Sequence, residues 1–134
     1  MPMMVEAVRS GSDVLCYIVR SADFPAETAF ATPCDAQLQV GQVVHLCGHQ
    51  IARHEHRPQE RHSTGTAEFL LVQRGRCAME VYDHQRRLVA TRELGVGDIS
   101  ILLGGGHGFR MLEDTVMLEV KQGPYPGPDE KERF

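Results

Sequence analysis

The stretch 54-HEHRPQERHSTGTAEFLLVQRG-75 decides how this chain is read. His54 and His56 stand two residues apart. In a strand, residues i and i+2 leave the same face, so the pair aims two imidazoles at one point. At the other end, an apolar run opens at Glu68 and stops at Gly75, where a tight return begins. Two carboxylates compete to join the histidines: Glu60, four residues past His56, and Glu68. Proline cannot donate to a ladder, so the histidine strand is expected to end near Pro58, leaving Glu60, Arg61 and His62 on a loop. Glu68 opens a strand whose direction the sheet sets, and metal sites favour ligands held by rigid elements. Glu68 is therefore the expected carboxylate ligand, with Glu60 as the alternative.

The same texture runs through the chain. Short runs rich in valine, isoleucine and leucine fall at 14–20, 42–46, 50–56, 68–73, 77–83, 88–94, 98–103, 107–112 and 115–121, parted by Gly-containing turns. Even spacing of this kind signals an antiparallel sandwich or barrel. No segment sustains a 3.6-residue apolar period with caps, and the alanines and phenylalanines of 24–32 are only weakly ordered for a helix. The expectation is all-β. Alternation sharpens it: Cys77, Met79 and Val81 oppose Glu80 and Tyr82, and Val116, Leu118 and Val120 oppose Met117, Glu119 and Lys121. The tail at 122–134 is rich in proline, glycine and charge and should leave the sheet as an extended or loosely packed arm.

A chain of 134 residues suffices for one domain with a real core. A formal net charge of -4 argues against a nucleic-acid binder, which usually carries a basic excess. No apolar run approaches the roughly 20 residues that span a bilayer, and 1–13 lacks the pattern of a signal peptide, so no membrane association and a cytoplasmic location are expected. Cys16, Cys34, Cys47 and Cys77 form no regular framework and read as reduced thiols. His45, Cys47 and His49 share a parity in 45-HLCGH-49, but a zinc site there lacks a fourth ligand.

Two histidines and a carboxylate make a mixed nitrogen and oxygen set suited to Fe(II), Mn(II), Ni(II) or Zn(II), with positions open to substrate. Alone, HxH is more often a pair of solvated histidines. Further on, 97-GDISILLGGGHGF-109 opens a strand with Gly-Asp, runs apolar, and delivers His107 after three glycines. His-x-His, then Glu-x6-Gly, then a Gly-initiated strand with a histidine after its turn resembles the cupin superfamily, over about residues 41 to 121. That resemblance implies a double-stranded β-helix (jelly-roll) barrel in which His54, His56, Glu68 and His107 hold one divalent metal ion. It further implies a single domain over 1–134, with N-terminal strands in about 1–40, a barrel core in 41–121 and the tail beyond. Two departures stand. The glutamate spacing is split between Glu60 and Glu68, and the second motif is one residue short, with Leu103 where a proline is common. The ending 119-EVKQGPYPGPDEKERF-134, with 104-GGGHGF-109, is similar to small single-domain bacterial cupins with a KQGPY tail, and points to a sugar-related ligand.

The resulting expectation is a metal-dependent enzyme acting on a small polar molecule in the barrel, a sugar or a hydroxy or keto acid, by isomerase-type or dioxygenase-type chemistry. Glu60, Arg61 and Lys121 are the candidates for moving protons or clamping an anion. The alternative is a non-catalytic cupin module that binds a sugar or small acid. Edge strands of an open sheet need protection, and 14–20 is the expected pairing edge of a homodimer.

Overall fold

The structure, a computed structural model, describes residues 5–134. Ten strands follow in order: β1 (Glu6–Ser10), β2 (Asp13–Val19), β3 (Ala29–Phe30), β4 (Gly41–Gln42), β5 (Glu68–Arg74), β6 (Arg76–Tyr82), β7 (Leu88–Gly95), β8 (Ile99–Leu102), β9 (Gly106–Met111) and β10 (Val116–Lys121). One 3-10 turn at Pro128–Glu130 is the only helical element among the described residues. The fold is all-β, and every pairing is antiparallel. A five-stranded sheet runs β1-β2-β8-β5-β10, a three-stranded sheet runs β7-β6-β9, and β3 and β4 form a short ribbon. The two main sheets face each other as an open sandwich, and the expected closed barrel does not form within the chain.

The hairpins follow from local chemistry. Gly75 takes φ +82 between β5 and β6, and a Cβ built there would lie 2.1 Å from the Asp114 carbonyl oxygen. Only glycine reaches that conformation without strain. After β7, the Asp98 carboxylate gathers the turn by accepting the N–H groups of Ser21 (2.9 Å) and Gly95 (2.8 Å) and the Arg20 guanidinium (3.1 Å). That clamp ties the end of β2 to the start of β8. Between β6 and β7, Asp83 accepts the N–H groups of Gln85 and Arg87, holding Arg86 at φ 64.

The core lies between the sheets. Cys16, Ile18, Leu70, Val72 and Leu102 on one inner face meet Cys77, Met79, Val81 and Leu94 on the other. The alternation expected for β6 and β10 is present. In β10, however, the charged face turns inward: Lys121 stands opposite Glu68, Glu119 opposite Leu70 and Met117 opposite Val72. Val116, Leu118 and Val120 take the outer face and remain 45–50% exposed. A second cluster covers the outer side of the large sheet, where Leu38 and Val40 pack near Tyr17, Val19 and Ile101.

Four expectations need correction. The runs at 42–46 and 50–56 do not form strands beyond Gln42. Strand pairing is non-local, and among the described residues these runs pair with no strand beyond the β3–β4 ribbon. The run at 14–20 is not an edge, since β2 is flanked by β1 and β8. Glu6–Ser10, left unassigned by the sequence, takes the edge instead, through a turn with Gly11 at φ 60. The tail is not loose: Phe134 packs edge-on against Tyr82 at 5.1 Å, with Arg86 stacked 4.9 Å over its ring.

Candidate functional site

Glu68 and His107 meet across the sandwich. Glu68 begins β5 on its inner face, in line with Leu70 and Val72. His107 lies on β9 opposite Val81 of β6, the same inward row as Phe109 opposite Met79. The two facing sheets thus bring His107 Nε2 to 3.8 Å from Glu68 Oε1. The Glu68 side chain is 11% exposed and that of His107 31%. At 3.8 Å the contact is an ion pair at most, too long for a hydrogen bond.

The electrostatics of the pair come from what lines the same end. Burial pushes the Glu68 carboxyl up to about 7, the hydrogen bond and charge of Glu119 push the same way, and Lys121 and Lys131 oppose them. Burial also holds the His107 imidazole below its ordinary value, aided by Lys131 and opposed by Glu119. Glu68 is therefore a carboxyl poised near neutrality beside a predominantly neutral imidazole.

The tail builds the floor. Lys121 Nζ lies 3.6 Å from Glu130 and 5.3 Å from the Tyr125 ring centroid. Thr66 Oγ1 donates to Glu130 at 3.4 Å. A cleft of about 370 Å³ opens among Lys121, Tyr125, Glu130, Lys131 and Arg133. Three cations against one carboxylate suit this cleft to an anionic group. Lys121 was legible in the sequence as a strand residue facing with Glu119. Lys131 and Glu130 were not, because a tail rich in proline and glycine gives no sign of where it returns.

His54 and His56 are not part of this assembly. Their rings sit edge-to-face at 5.3 Å, as two neighbouring imidazoles should, but on an exposed, irregular segment. The Nδ1 of His54 is engaged locally with the Ala52 carbonyl at 2.8 Å. Glu60, Arg61 and His62 are exposed on the loop expected for them, and they do not line the cleft. His45 and His49 stack at 4.1 Å without gathering further ligands. Among the described residues no set of three or more histidine, cysteine or carboxylate side chains converges. Within one chain, then, the proposed four-ligand set does not fit a metal ion: Glu68 and His107 converge, and the histidine pair stands apart.

Comparison with protein-family models, with curated proteins and with solved structures finds no match for this chain. Among the described residues no helix is long and apolar enough to cross a membrane. What the geometry defines is an antiparallel β-sandwich with a carboxylate–imidazole pair between its sheets and a cationic cleft beside it.

Proposed function

We propose that this chain is a metal-binding protein of the cupin type, with a jelly-roll architecture, and an enzyme for a small anionic or polyhydroxy substrate held between the sheets. The observation that carries this reading is the pairing of Glu68 and His107. One nitrogen and one oxygen donor, from the two motifs whose spacing the sequence singled out, lie on facing inner surfaces rather than on the outside. A carboxylate held largely out of water beside an imidazole kept neutral is a donor pair ready for a divalent ion such as Fe, Mn, Ni or Zn. Lys121 and Lys131 supply positive charge at the same end, suited to the carboxylate of a hydroxy or keto acid or to an acidic sugar.

The division of labour follows from position. Lys121 and Lys131 would orient the anionic end of the substrate. Glu68, titrating near neutrality, would hold or release a proton within reach of His107. Glu60 and Arg61 stand away from the cleft and carry no role in this reading. Equilibrium dialysis of chelator-stripped protein against Mn(II), Fe(II), Ni(II) and Zn(II) tests it. One ion per chain is expected, lost in both Glu68→Gln and His107→Ala proteins. No binding of any of the four ions would sink the proposal. Oxygen uptake in the presence of Fe(II) then separates a dioxygenase from an isomerase.

A further inference from the structure

The arm that carries His54 and His56 has no reason to hold its shape in one chain. Every residue from 45 to 66 is exposed, among them Leu46 (86%) and Ile51 (62%). Ordering one residue's backbone costs roughly 1–2 kcal/mol, and nothing is buried along this stretch to offset it. Among the described residues the backbone groups of 50–56 enter no strand ladder, and the Ala52 carbonyl is met only by its neighbour His54. The arm is nonetheless rooted. At its base β3 and β4 pair, and Thr28 Oγ1 accepts the N–H of Val44 at 3.0 Å. At its tip a turn closes with the His49 N–H on the Leu46 carbonyl at 3.1 Å, and Gly48 takes φ +87. Two extended halves, 42–46 and 50–56, are thus joined by a tight turn.

The body presents the matching vacancy. β9 ends the three-stranded sheet and β10 ends the five-stranded one, both with open edges. They are consecutive strands joined by the turn at 112–115, so the two open edges lie at the same flank of the sandwich. Around them Met111, Leu112, Val116, Leu118 and Val120 are exposed. Two extended halves thus meet two open edges.

We infer that the arm at 42–66 belongs to a second copy of this chain: in a twofold dimer each copy lays 42–46 along the partner's β10 and 50–56 along the partner's β9. The partner's His54 and His56 then stand in the row beside His107, and the site of Glu68 and His107 is complete only across the interface. This last step rests on the metal-binding reading above, whereas the exchange of arms does not. An exchange of identical segments satisfies both arms and all four open edges at once, and it is a low-cost route to a closed dimer. It also converts two aggregation-prone edges per copy into paired ones.

Three measurements test the exchange. Light scattering of the unmodified chain in chelator, at micromolar concentration, should give twice the chain mass of 14.9 kDa, and a monomer would overturn the proposal. Antiparallel docking that brings His54 or His56 beside His107 sets Arg53 within one register step of Arg110. An Arg53→Cys, Arg110→Cys protein carrying Cys34→Ser and Cys47→Ser should therefore oxidise to a covalent dimer. A covalent ring within one chain would show that the arm docks on its own body and overturn the exchange. Finally, a His54→Ala, His56→Ala protein is mixed, by denaturation and refolding, with a Glu68→Gln, His107→Ala protein. Each alone should bind no Mn(II). The mixture should recover about a quarter of the wild-type sites, the statistical yield of one intact site per mixed dimer. Recovery supports the exchange. A mixture without Mn(II), in a chain that dimerises and cross-links as expected, leaves the exchange standing and overturns the shared metal site alone.

Discussion

Replacing Glu68 by Gln in metal-free protein should make the chain more stable, and by an amount that depends on pH. An unfolded glutamate titrates near 4.5, whereas burial and Glu119 carry folded Glu68 to about 7. The folded state therefore binds more protons than the unfolded one between those values, and stability falls as pH rises through that window. The contribution is fully present below about 4.5 and lost above about 7. With 1.36 kcal/mol per pKa unit, the loss is on the order of 3 kcal/mol, and partial access of water to the carboxylate trims it toward 2. Glutamine keeps the shape and the hydrogen-bonding capacity without the charge, so the variant should match the wild type near pH 4.5 and exceed it by about 2–3 kcal/mol at pH 8.5. Urea melts in EDTA at intervals across that range give the curve directly. Glu119→Gln should raise stability at alkaline pH, because it removes the neighbouring charge that disfavours ionised Glu68. A wild-type-minus-variant difference that stays flat with pH would refute the idea that Glu68 is a buried carboxyl held against its own charge.

Three further outcomes follow from the packing. Asp98→Ala should cost about 3 kcal/mol by urea melt, because it removes the acceptor of two turn N–H groups and leaves the Arg20 guanidinium only the Glu93 carbonyl; a loss under 1 kcal/mol would show the clamp to be idle. Gly75→Ala should destabilise by at least about 2 kcal/mol, since it combines a left-handed φ with a collision against the Asp114 carbonyl; an unchanged melting temperature would contradict the close approach. In native protein Cys16, buried and pushed up to about 12, and Cys77, also raised by burial, should resist iodoacetamide while exposed Cys34 reacts; mass spectrometry of the labelled chain reads the difference, and rapid labelling of Cys16 would count against the core described.

The sequence showed the sheet wherever a strand and its turn are neighbours. Glu68 to Tyr82 was legible because its alternation, Gly75 and the return at Arg76 are all local. The two faces of β10 were legible as well, but not which of them is inside. That depends on the register of Lys121 against Glu68, a pairing across more than fifty residues, and it places charge where hydropathy alone would put Val116, Leu118 and Val120. The arm defeated the reading for the opposite reason. Residues 50–56 have every mark of a strand, yet a strand needs a ladder to pair with, and among the described residues they join none. Of the site, Glu68, His107 and Lys121 were visible as strand residues with the right parity. Lys131 was invisible, because the position of the tail is fixed by scattered side-chain contacts, Phe134 on Tyr82 and Glu130 on Thr66 and Lys121 among them, that no periodicity announces.

The placement of β2 has a consequence for chain continuity. β2 is hydrogen-bonded to β8, with Cys16 opposite Leu102, so the N-terminal hairpin forms one end of a sheet whose remaining strands, β8, β5 and β10, are all made later in synthesis. That pairing crosses the arm without using it. A protease that cuts after Arg53 or Arg57 would split the molecule into an N-terminal piece of four strands and a C-terminal piece of six, with the Asp98 clamp and the β2–β8 ladder still joining them. The two halves should copurify as a nicked but folded protein, and the same break offers a place to express the chain as two separate polypeptides that find each other.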